Sequence, residues 1–149
     1  MMLDFVFSFL CTFGFGIIFN IPRKQLVFAS LAGAAGWMVY SIFLVQFDEI
    51  VMAAFAGAFV VGLLSEFMAK ARRVPATIFV VPGIVPLVPG YGLYYSMRKI
   101  IDSDYINAMG VGTETILVAL AISSAVILTT SIGRKIRRKI VIKKYKPKE

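Results

Sequence analysis

The groups best placed to do chemistry in this chain of 149 residues are backbone amides, not side-chain nucleophiles. In the uncharged run VPATIFVVPGIVPLVPGYGLYY, residues 74–95, Pro82, Pro86 and Pro89 each lack an N–H. Each ring also crowds the carbonyl four residues earlier, at a cost of about 3 kcal/mol inside a helix. The carbonyls of Ile78, Pro82 and Val85 therefore lose their helical donors. Gly83, Gly90 and Gly92 make the backbone permissive beside them. A helix restarting after Pro89 would leave its first N–H groups, from Gly90 to Tyr94, without intrahelical partners. Such an end suits an anionic group, for example the carboxylate of an amino acid. Lipid supplies no water to these groups, so the break must face protein or a wet cavity. The expected structural break is Pro82 and Gly83. The expected substrate-binding set is Pro86, Pro89, Gly90, Tyr91 and Tyr94, with Asn20 at the inner end of the first apolar run.

Ionisable side chains in apolar surroundings come next, because burial is expensive for them. Glu66 has the most apolar flanks and is the candidate for proton coupling; Lys70 follows it at helical ion-pair spacing. Glu114 is expected to open the last span, where a carboxylate favours a helix N-terminus. Asp4 lies at the start of the first. Each of these also suits a plain interfacial anchor. Enzyme chemistry has little to work with: there is no histidine, and the lone cysteine, Cys11, sits in an apolar run. Serine–histidine, cysteine–histidine and histidine-metal sites are excluded. The aspartates Asp4, Asp48, Asp102 and Asp104 fall at or beyond span ends. No enzyme, metal site or cofactor is expected.

These groups must be held by helices in a membrane. The chain is 59% hydrophobic with a mean hydropathy of +0.84, leaving too few polar residues to cover a water-soluble core. A span needs about 20 apolar residues. Five runs qualify, at about 2–20, 26–45, 50–68, 75–97 and 113–132. They predict an all-α polytopic protein whose fourth span is broken by proline and glycine. Residues 1–133 form the transmembrane domain. The remainder, 134–149, is a tail with nine basic residues and one acidic, whereas residues 1–133 hold seven of each. With this tail in the cytoplasm, five crossings put Arg23–Lys24 and Lys70–Arg73 inside and Asp48–Glu49 outside, and the N-terminus outside. A fourth segment that turned back would break this pattern. The first run lacks a basic flank and is expected to stay as a span.

Small residues mark helix contacts: LAGAAGW around Gly33 and Gly36, and AAFAGAFVVG with Gly57 and Gly62. They argue for a compact bundle or a homo-oligomer. The hydroxyls Ser123, Ser124, Thr129, Thr130 and Ser131 can bond back to their own helix. In the tail, Ile136 and Ile140 among basic residues suit a short helix on anionic lipid. No aromatic platform accompanies it, so nucleic acid is not an expected partner.

Three pieces, GFGIIFNIPRKQL (14–26), LAGAAGW (31–37) and VPGIVPLVPGYGLYYSM (81–97), resemble the threonine/serine exporter family. More narrowly they are similar to its small membrane subunit, the counterpart of the second half of the single-chain exporters. Phe19–Pro22 and Pro86–Gly90 carry the resemblance most specifically. It implies a proton-driven inner-membrane exporter of threonine, serine or related organic acids such as dicarboxylates, working beside a larger membrane subunit. The competing expectation is a membrane scaffold or pore component without its own substrate site.

Overall fold

The computed structural model describes the backbone from residue 2 to 144, with side chains to 133 and at 135, and it is all helical. Helix α1 is Met2–Ile18, α2 Arg23–Phe47 and α3 Ile50–Arg72. Helix α4, Thr77–Ile84, runs into a 3-10 turn at Val85–Leu87; α5 is Gly90–Ile101 and α6 is Tyr105–Lys144. Helices α2, α3 and α6 are each long and apolar enough to cross a bilayer. The α4–α5 pair is a fourth candidate if counted as one span, and α1 is a shorter apolar helix of 17 residues.

The turns use left-handed residues other than glycine. Asn20, Asp48, Arg73 and Ser103 all have φ between 53° and 60°. After three of them a chain-reversing bond closes the helix end. Ile21 N–H donates to the Gly16 carbonyl (3.0 Å), Val74 to Ala69 (3.1 Å) and Asp104 to Lys99 (2.9 Å). Asparagine tolerates this conformation better than most residues, so Asn20 has a backbone role in the turn. Pro22 then precedes α2, where its missing N–H costs nothing.

The helix directions follow from which glycines meet which side chains. Thr12 fills the notch at Gly33, and Leu26 that at Gly16, so α1 and α2 are antiparallel. The backbones of α2 and α3 touch where Gly36 faces Gly57. A Cβ on Gly57 would lie 2.8 Å from the Gly36 carbonyl oxygen. Thr129 sits over Gly62 and the Glu66 carboxylate over Gly133, which sets α6 parallel to α3. Asp4, the Asp48–Glu49 turn and the α5–α6 turn therefore share one end of the bundle, the acidic end. The 19–22 and 73–76 turns share the other.

The small residues found in the sequence thus make the contacts expected of them. Thr129 bonds back as expected, donating to the Ala125 carbonyl (3.0 Å), and Thr12 does the same to that of Ser8 (2.9 Å). Their polar atoms are satisfied within their own helices, so the same side chains can pack as apolar knobs. Helix α3 is central, packing against α2, α4 and α6. Its Ala54, Ala58 and Val61 form a core with Leu87, Val118, Ile122 and Ala125.

Two boundaries differ from the sequence reading. Helix α6 begins at Tyr105 rather than near 113, because Asp104 starts it: its carbonyl accepts the Ala108 N–H at 3.0 Å and its carboxylate the Asn107 amide at 2.8 Å. Glu114 is therefore about 2.5 turns inside the helix, not at its N-terminus. At the other end α6 continues without a break to Lys144, so no separate short helix forms across the described part of the tail. Lipid contact there would rest on side chains outside the described residues.

Packing this close leaves no room at the α2–α3 crossing. Gly57→Val is expected to lower the thermal unfolding midpoint of the detergent-solubilised chain, by an overpacking cost of about 1–3 kcal/mol. Gly14→Ala, where an added Cβ meets nothing within 4 Å, should leave the midpoint unchanged or slightly raised.

Candidate functional site

The prolines break the fourth span, but less backbone is orphaned than the sequence suggests. The Val85 N–H reaches the Pro82 carbonyl. The Val88 N–H reaches that of Val85 at 3.2 Å. Tightening from α to 3-10 geometry thus recovers two of the three carbonyls that proline strips of donors. Beyond Val88, extended at ψ 128°, the chain restarts: Gly90 N–H donates to Val88 (2.7 Å) and Leu93 N–H to Pro89 (3.2 Å). Among the described residues, the N–H groups of Tyr91 and Gly92 have no backbone acceptor outside their own helix. They precede its first i to i−4 bond.

The two halves meet at 48°. A segment that turned back would need them nearly antiparallel, so the bend favours a kinked crossing. Its depth also follows from contacts. Gly83 faces Val61 near the middle of α3, while Leu87 packs against Gly57. Gly57 lies about 10 Å along α3 from Ile50, so the break is nearer the acidic end than the mid-bilayer depth expected from sequence.

A cavity of about 450 Å³ opens at this break. Its floor is Pro86–Gly92, its walls Trp37 and Tyr40 from α2, Tyr95 from α5, and Glu114, Thr115 and Val118 from α6. Trp37 and Tyr40 pack with ring centroids 5.0 Å apart, and Tyr91 stacks on Tyr95 at 5.6 Å. Thr115 fits the notch at Gly92 and holds α5 against α6. A concave, largely aromatic site with a few polar groups can take one small molecule.

The structure therefore brings together Pro86, Pro89, Gly90 and Tyr91. Tyr94 is 63% exposed and does not line the cavity. Asn20 lies at the opposite end of the bundle. Pro82 and Gly83, the expected break, instead lie buried inside α4 where it crosses α2 and α3; the chain leaves helix only at Val88 and Pro89. Glu66 faces Gly133 of α6 near the basic end, about 24 Å along α3 from Ile50. Trp37, Tyr40, Tyr95 and Thr115 were not singled out by sequence reasoning. Among the described residues no cluster of histidine, cysteine, aspartate or glutamate could hold a metal ion.

Residues 4–132 match the model of the family described as Threonine/Serine exporter, ThrE. The chain belongs to the threonine/serine exporter family. This makes it a membrane protein with a role in transport. A Haemophilus influenzae protein, itself uncharacterized, is 27% identical over 102 residues, which are 68% of this chain and 34% of that protein. The match thus spans about a third of that relative's length. No solved structure matches.

The exporter-family cavity depends on the α5–α6 hairpin, which is latched at its turn. Asp104 accepts hydrogen bonds from Asn107 (2.8 Å) and Lys99 (3.0 Å), and these hold its carboxyl below the usual range. A depressed folded-state pKa contributes stability above the unfolded value of about 3.9, lost as pH falls through the lower folded value. At pH 7, Asp104→Ala should speed amide exchange over residues 102–108. The difference from the parent should narrow only below about pH 3.9.

Proposed function

We propose that this chain is the membrane-embedded part of a secondary transporter that exports threonine, serine or related small organic acids. It works with a larger membrane subunit that supplies the rest of the pathway. The supporting observation is the cavity at the proline break, which joins backbone N–H groups of Tyr91 and Gly92 to an aromatic wall. Discontinuous spans of this type line substrate sites in other secondary transporters, where the half-helix N-terminus receives the substrate's carboxylate. Family membership supplies the direction of the argument, and the coverage of only 34% of the Haemophilus relative is consistent with a division of labour.

The reading also assigns a membrane and an orientation. The acidic end, with Asp4, Asp48 and Glu49, faces outward from the cytoplasmic membrane, and the basic turns and tail face inward. The antiparallel α1–α2 pair and the parallel α3–α6 pair support this alternation. Under it the cavity sits in the outer half of the bilayer, close to the side of release.

Gly90 gives a clean test, because an added Cβ there meets nothing within 4 Å and yet the residue lines the cavity. Gly90→Leu should fold normally while filling the site. In vesicles carrying the chain with its co-purifying membrane partner, threonine counterflow should fall about tenfold or more, equivalent to about 1.4 kcal/mol of lost binding. Pro86→Ala, which restores a donor to the 3-10 turn, should also slow it. Parental rates in both variants, at normal expression, would sink the proposal. Flux without saturation or counterflow would instead favour a pore component.

A further inference from the structure

A second, more open cavity of about 800 Å³ adjoins the first at the acidic end. It is lined by Asp48, Glu49, Met109, Thr113 and neighbours from α2, α3 and α6. Only Ile50 and Glu114 line both cavities. One of these is aliphatic and the other is a carboxylic acid, so Glu114 is the single ionisable group at the doorway between pocket and mouth. We propose that Glu114 is the proton-binding residue of this doorway. Its charge sets whether the pocket at the break opens to the acidic end. This deepens the transport reading above and rests on it.

The argument is one of placement. A carboxylate that links protons to a carried molecule must be reachable from water and must also border the binding pocket. Glu114 meets both conditions, since it is exposed and shared by the two cavities. Deprotonated, it puts a fixed negative charge at a passage whose other shared residue is the aliphatic Ile50. A carboxylate or zwitterion leaving the pocket would then pass close to a like charge. Protonated, it becomes a neutral hydrogen-bond donor and acceptor, and that repulsion disappears. Glu66, the sequence's candidate, borders neither cavity.

The titratable groups around Glu114 are few. Tyr40 faces it from α2, Tyr91 and Tyr95 from α5, and Asp48 and Glu49 from the α2–α3 turn. From α1, Asp4 reaches the far side of Trp37 and Pro86, in a separate cavity. On α5, Lys99 lies over the Tyr95 ring and is tied to Asp104 at 3.0 Å, and Arg98 pairs with Asp102 at 3.9 Å. Of the carboxylates, Glu114 is the one that lines the cavity formed by Trp37, Tyr40 and Pro86–Gly92, while Asp4 borders Trp37 and Pro86 from the other side.

The chain carries its own reporter, because Trp37 is its single tryptophan and lines that cavity. The purified full-length chain should show a transition in Trp37 emission between about pH 4 and pH 8. Glu114→Gln should abolish it, while Glu114→Asp and Glu66→Gln keep it. In vesicles with the co-purified partner, labelled threonine counterflow should change several-fold over this pH range in the parent. In Glu114→Gln, which mimics the protonated form, it should be flat. A transition and a pH profile that both persist in Glu114→Gln would overturn the role of Glu114 and leave the pocket reading standing. If Gly90→Leu carries threonine at the parental rate, the pocket reading itself fails and the doorway role goes with it.

Discussion

The structure depends on how closely the backbones of α2 and α3 approach at Gly57. There the α2 carbonyl of Gly36 lies against α3, and Leu87 of the broken segment packs onto the same glycine. A proline-interrupted strand of backbone is unstable in hydrocarbon unless protein wraps it. Wrapping requires neighbours without side chains at the contact, and Gly33, Gly36 and Gly57 supply that surface. Thr12, Thr115 and Thr129 complete it, each over a glycine of the facing helix with its hydroxyl turned back to its own carbonyls. Helix packing and the break are thus one device: small residues make the bundle tight enough to hold an irregular segment in place.

How the break is held also decides its chemistry. Had all the stripped carbonyls stayed open, the segment would present mainly acceptors and would suit a cation. The 3-10 turn recovers those of Pro82 and Val85 internally, and what remains on the cavity side is the start of α5, which offers donors. The polarity of the site therefore comes from a change of helical pitch over three residues. Its walls include the large side chains Trp37, Tyr95 and Val118.

Much of this was legible in the sequence because it rests on local rules. Pro82, Pro86 and Pro89 forbid a continuous helix wherever they stand, and glycine-rich spans announce close packing. Charge placement fixed an alternation of ends that the notches at Gly16, Gly33 and Gly62 reproduce. What stayed hidden was long-range. Trp37 and Tyr40 read as ordinary span residues until α2 is laid beside the break. Glu114 read as a helix start because the last apolar run begins near 113. Asp104 begins the helix two turns earlier.

That longer α6 also explains why a carboxylate can stand at a pocket edge at all. At a helix start Glu114 would be held by free N–H groups and would face the membrane surface. Deep in α6 those N–H groups are used in the helix, and the side chain must look outward into the space between α2, α3 and α5. There it borders the cavity lined by Tyr40, Tyr91 and Tyr95 and the mouth lined by Asp48 and Glu49.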